Sequence, residues 1–133
     1  MQDQAVAQAQ KIAGQEHWTT RDGAKLFLWE KCIGDPARAK GVVLFVHGSS
    51  MASQPTFDLQ VPGRPDSSVM EWFAKLGYDT WCTDSEGYGR STKDRDNNAD
   101  ISRGADDLAA VVNTSANCVV RNHSWSTAFL PAR

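Results

Sequence analysis

The segment Gly41-Val42-Val43-Leu44-Phe45-Val46-His47-Gly48-Ser49-Ser50 constrains this chain more than any other stretch. Five apolar residues in a row, three of them valine, lie between two glycines. Such a run predicts a strand buried on both faces. His47-Gly48 lets the backbone turn sharply off the sheet, which leaves the N–H groups of Ser49 and Ser50 free at the strand's carboxyl end. In open parallel sheets that end is where ligands bind. Two N–H groups aimed at one point there can hold an oxygen that turns negative during acyl transfer.

Upstream, residues 16–20 and 24–32 read as two strands joined by Arg21-Asp22-Gly23. Asp-Gly between strand-like runs signals a hairpin, because both residues tolerate positive φ. In the second strand Leu26 and Leu28 face one way, and Phe27 and Trp29 the other. Gly34-Asp35-Pro36 breaks the chain before the central strand. The first fourteen residues favour a short helix that Gly14 ends.

Downstream, residues 51–65 form a long connection containing Pro55, Pro62, Gly63 and Pro65. It has two readings: a roof over a substrate pocket with Phe57 and Leu59 in its wall, or a surface excursion tucked down by those side chains. Residues 67–76 predict a helix, with Ser68 and Glu71 at capping-box spacing and Gly77 as terminator. Val69, Phe73 and Leu76 make its apolar stripe, widened by Met70 and Trp72. A strand over 78–83 follows, and strand, helix, strand in this order predicts a parallel pair. Residues 100–112 predict another helix with Ile101, Ala105, Leu108 and Val112 on one face. Asp106 and Asp107 near its start suit the helix dipole and read as solvated surface.

Between that strand and helix lies Asp84-Ser85-Glu86-Gly87-Tyr88-Gly89-Arg90-Ser91. A dinucleotide fingerprint would need a third glycine where Thr92 stands, and a helix opening there, so nucleotide binding has little support. Instead, the ordered set of hairpin, buried strand, His-Gly loop, helix, strand, Gly-x-Gly loop and helix resembles the amino-terminal part of the α/β-hydrolases. The resemblance covers roughly residues 16–112. It implies an α/β fold: an incomplete α/β-hydrolase-type sheet, with an antiparallel amino-terminal hairpin followed by parallel βαβ units. It also implies a serine hydrolase acting on an ester or related acyl bond, with Ser49 N–H in the oxyanion hole. A small-molecule substrate and no cofactor are implied. Asp84 and Ser91 would brace their loop. The strand 42–46 should then be interior, and parallel to 80–82.

The family next places a strand running into G-x-S-x-G. Here stands Asn117-Cys118-Val119-Val120-Arg121-Asn122-His123-Ser124-Trp125-Ser126-Thr127-Ala128. Ser124-x-Ser126-x-Ala128 mimics that elbow, which makes Ser126 the candidate nucleophile and adds Thr127 N–H to the oxyanion hole. Three features conflict with it: Ser124 in place of glycine at a strained turn, polar Arg121-Asn122-His123 at a strand's end, and Pro131 in the helix that should follow. The acid and histidine of the family's triad come after the serine in chain order, and neither His17 nor His123 does. The chain is therefore expected to be a truncated copy, inactive alone. The rival is a non-catalytic fragment or pseudoenzyme that binds a small molecule or partner. Residues 1–15 read as an extension, 16–112 as the hydrolase-like part, and 113–133 as an atypical tail of out-of-frame character.

Composition narrows the partners. A net charge of −2 over 133 residues gives no basic footprint, so nucleic acid is not expected. The apolar runs are far shorter than the roughly 20 residues of a membrane span, and residues 1–15 lack a secretory signal, so a cytoplasmic protein without a membrane partner is expected. Cys32, Cys82 and Cys118 show no paired spacing, nor do His17, His47 and His123, which argues against a disulfide framework or a metal site. Cys82 and Cys118 lie in apolar runs and read as small core residues.

Overall fold

A computed structural model describes residues 12–93, 95 and 100–122. Its frame is one mixed sheet. β1 (Gly14–Arg21) and β2 (Ala24–Lys31) form an antiparallel hairpin, in which Asp22 and Gly23 both take positive φ (46° and 80°). Two successive left-handed residues match the right-handed twist of the flanking strands. β3 (Val42–Val46) and β4 (Asp79–Thr83) are the parallel pair, and β2 joins β4 antiparallel, giving the order β1-β2-β4-β3. Gly14 opens β1 rather than closing a helix, and Ile12 and Ala13 before it are not helical; residues 1–11 of the expected amino-terminal helix lie outside the described residues.

Alternation in β2 divides the sheet's faces as expected. Leu26 and Leu28 join Trp81 and Val111 in the core under the long helix α3 (Ile101–Asn122). On the opposite face Phe27 contacts Trp18 and Trp29, with the Arg90 guanidinium 4.3 Å above its ring. β4, in the middle, is buried along its whole length.

One expectation about β3 fails. It pairs in parallel with β4, but it lies at the rim of the described sheet, with Val42 and Val46 each 45% exposed. The described residues contain no strand to cover its outer edge, because α3 runs on to Asn122 through the place where the family has one. Phe45 is held on its inner side by Phe57 and Phe73, at 5.0 and 5.7 Å between ring centroids.

The connection 51–65 takes the second of its two readings in part, tucked down by Phe57 but not by Leu59. It contains a short helix, α1 (Ser53–Phe57), and Phe57 lies on Phe45 while Leu59 is exposed. Buried Asp58 fixes it, accepting hydrogen bonds from Lys31 Nζ (3.0 Å), Trp29 Nε1 (2.8 Å) and Ser68 Oγ (2.6 Å). In α2 (Val69–Lys75) Ser68 Oγ accepts from Glu71 N–H, but the Glu71 carboxylate turns to Lys31 instead of back to the cap. Half the capping box is present, and Gly77 terminates the helix at φ 98°. The buried face is Met70 and Ala74, so Val69, Trp72 and Leu76 point outward, one step round from the expected stripe. No helix among the described residues is long and apolar enough to cross a membrane.

Candidate active site

The carboxyl ends of β3 and β4 open onto a cavity of about 380 Å³. Its walls are the loop after β3 (His47, Gly48, Ser49), the loop after β4, and the first turns of α3. Ser50 takes a left-handed φ of 67°, so the chain turns directly after Ser49. Neither Ser49 N–H nor Ser50 N–H donates to a described residue, which leaves both open to an acceptor from outside. Ser49 lies where the sequence places it. Ser126 and Thr127 lie outside the described residues.

His47 clamps the two loops together. Its Nε2 accepts from Ser85 N–H at 3.1 Å, and its Nδ1 lies 2.8 Å from Gly48 O. The first bond requires a bare Nε2, so the proton is on Nδ1 and is donated to the carbonyl. The ring also lies 4.7 Å from Tyr88. With both nitrogens engaged, His47 is a structural clamp and not a free base.

Asp84 and Ser91 brace their loop as the resemblance implies. Asp84 Oδ1 accepts from Ser53 N–H (2.8 Å) and Ser53 Oγ (2.9 Å), and Oδ2 accepts from Arg90 N–H (3.0 Å). Ser91 Oγ donates to Asp84 O (2.6 Å) and accepts from Phe27 N–H (2.9 Å). Gly89 is required between them, since a Cβ there would fall inside the Asp84 carboxylate.

The residues that sequence reasoning missed are ionic. Asp107, expected at the surface, is 3% exposed. One of its oxygens pairs with Arg21 Nε and the other accepts from Glu86 N–H at 2.9 Å. Arg21 also reaches Glu86 at 2.9 Å, and Arg95 approaches the other Glu86 oxygen at 2.6 Å. The hydrogen bond from Arg21 to Asp107 raises the Arg21 pKa above its ordinary value. The face of α3 that meets the sheet is Asp107, Val111 and Ser115. The expected stripe faces outward, with Ile101 94% exposed. A signal was present: 107, 111, 115 and 118 also recur at helical spacing, but two of those residues are polar.

Two solved structures share this fold. A CIB-like hydrolase from Thermoplasma acidophilum superposes with a TM-score of 0.56 and 20% identity, over 80% of this chain and 47% of that one. An esterase from Pyrococcus furiosus superposes with a TM-score of 0.57 and 20% identity, over 84% of this chain and 38% of that one. The chain has the α/β-hydrolase fold. It spans less than half the length of each of these two chains, and the partial coverage fits an amino-terminal portion of the fold. Within that fold β3 lies at the rim of the described sheet and not inside it as expected, while its parallel pairing with β4 is as expected. No family model and no curated protein sequence matches the chain.

Proposed function

We propose that this chain is hydrolase-like and contributes the oxyanion side of a serine hydrolase site for an ester or related acyl bond. The observation that carries the reading is the unengaged N–H of Ser49, on a cavity at the carboxyl end of a parallel pair, with the equally unengaged Ser50 N–H next to it in the chain. In this reading an acyl carbonyl oxygen enters beside Ser49 N–H, and Thr127 N–H supplies the second donor. Ser126 is the nucleophile. Fixed donors aimed at the developing charge are the largest single contribution such a site makes. Without a base beside it, a serine hydroxyl attacks slowly.

The second reading is a non-catalytic binder of a small molecule. It draws support from His47, the one imidazole among the described residues of the cavity, whose nitrogens are both engaged. Assaying the full chain with p-nitrophenyl acetate separates the two. Turnover above the buffer rate that Ser126→Ala abolishes supports the enzyme. Turnover that survives Ser126→Ala, or none at all, removes Ser126 as the nucleophile and leaves binding.

A further inference from the structure

At the opposite end of the sheet from the cavity, under the far half of α3, four polar side chains from four elements form a chain of contacts. Cys118 Sγ of α3 lies 4.0 Å from Nδ1 of His17 on β1. His17 Nε2 lies 2.6 Å from Glu30 Oε2 on β2. Asp79, at the start of β4, is electrostatically coupled to Glu30, and its Oδ2 accepts from Trp81 Nε1 at 2.9 Å. The His17 ring lies 4.5 Å from the Trp81 ring, which fixes its orientation.

The protons can be placed. Asp79 is fully buried, and its Oδ1 has no hydrogen-bond partner among the described residues. Two carboxyl groups in contact share one proton rather than both ionising. With that proton on Asp79, Glu30 stays a carboxylate and accepts Nε2–H from His17. The lone pair of His17 Nδ1 then faces the Cys118 thiol. Nucleophile, base and orienting carboxylate in this order are the arrangement that activates a weak nucleophile.

We propose that Cys118 is a reactive thiol, with His17 as its base and the Glu30–Asp79 pair as positioning residues, and that it exchanges with low-molecular-weight disulfides. The Cys118 proton passes to His17 Nδ1 as Sγ attacks one sulfur of the disulfide. The new S–S bond forms as the old one breaks, and the departing thiolate takes the proton back from His17. Cys118 is oxidised to a mixed disulfide, and the other half of the reagent is reduced to a free thiol. Burial pushes the Cys32 thiol up to about 11 and the Cys82 thiol up to about 12, so both stay protonated at neutral pH. Cys118 also packs against the core of Leu26, Leu28, Trp81 and Val111, as expected of a small core residue, and that role alone predicts no such selectivity.

The test is labelling of the full chain with 4,4′-dithiodipyridine, followed by peptide mapping, over a range of pH. At pH 7 Cys118 is expected to react about tenfold or more faster than Cys32 or Cys82, with an apparent pKa below the ordinary thiol value of about 8.5. His17→Gln is expected to slow Cys118 about tenfold or more while leaving the Cys32 rate unchanged. Glu30→Gln is expected to shift the pH profile of the Cys118 rate towards that of a free thiol. Labelling of Cys32 first, or a Cys118 profile at or above 8.5, overturns the proposal. Should His17→Gln unfold, exposing all three cysteines alike, the pH profile of the unsubstituted chain decides.

Discussion

Asp107 Oδ2 accepts a hydrogen bond from the backbone N–H of Glu86, at 2.9 Å, while Oδ1 of the same carboxylate pairs with Arg21. One side chain of α3 thus ties the loop after β4 to the end of β1. The cavity wall rests on that knot, since Glu86 and Asp107 both line it.

Removing the carboxylate leaves a half-buried backbone donor without an acceptor and part of the Arg21 charge without a partner. A buried group stranded in this way costs roughly 1–3 kcal/mol, more when charged. Asp107→Ala is therefore expected to destabilise the chain by about 2–3 kcal/mol in urea unfolding. Asp106→Ala, one residue away on the exposed side, is expected to stay within about 0.5 kcal/mol. Equal effects from the two would contradict the assignment.

The same pair shows what a sequence can carry. The hairpin was legible because Asp22-Gly23 has a local cause, positive φ at both residues. The parallel pair and the bracing roles of Asp84 and Ser91 were legible because order and spacing carry them. Asp107 was not, because its partners Arg21 and Glu86 lie 86 and 21 residues away and nothing local records a long-range ion pair. The buried faces of α2 and α3 were misread for a related reason. Apolar periodicity marks a face that can be buried, and in the described chain Val69, Leu76, Leu108 and Val112 remain exposed. Ser126 and Thr127 lie outside the described residues, so that part of the site stays a proposal.

Gly89 and Gly87 look alike in sequence and differ in the structure. Both take positive φ, 50° and 91°, but only a Cβ at Gly89 would meet the Asp84 carboxylate, which is held by Ser53 and Arg90 and cannot retreat. Gly87 has open space around it. Gly87→Ala is expected to cost about 1–2 kcal/mol, the ordinary left-handed penalty. Gly89→Ala adds the collision and is expected to cost about 3 kcal/mol or more. Matching chemical-denaturation midpoints for the two variants would refute the bracing role of Asp84.

The rim of β3 carries its own consequence. Val42 and Val46 stand half exposed on an edge whose outer hydrogen-bonding groups have no strand partner among the described residues. Such an edge is a template for pairing with another chain. The described chain is expected to self-associate as its concentration rises, as read by sedimentation velocity. Val46→Lys places a charge on that edge and is expected to suppress association while changing stability by no more than about 0.5 kcal/mol. Association unchanged by the lysine would locate the contact elsewhere.

The acidic pair under α3 gives a pH dependence of definite sign. Burial raises the Asp79 carboxyl to about 7, against the opposing hydrogen bond from Trp81 and with help from the neighbouring Glu30. An aspartate in the unfolded chain titrates near 3.9, so from about pH 4 to about pH 7 the folded chain keeps a proton that the unfolded chain has released. Folded binding more protons than unfolded means that stability falls as pH rises through this window, and levels off above it. Glu30, raised mainly by burial, acts with the same sign. His17, lowered mainly by burial, acts with the opposite sign, since stability is lost as pH falls through its folded value. Asp79→Asn isolates the carboxyl contribution: the carboxamide cannot ionise, yet its oxygen can accept from Trp81 and its NH₂ can donate to Glu30. In thermal unfolding across pH 4 to 8, the variant is expected to lose most of the decline and to exceed the unsubstituted chain in stability at pH 8. Parallel curves for the two chains would mean that Asp79 is ionised in the folded state at neutral pH, and that the proton placement in the His17–Glu30–Asp79 chain is wrong.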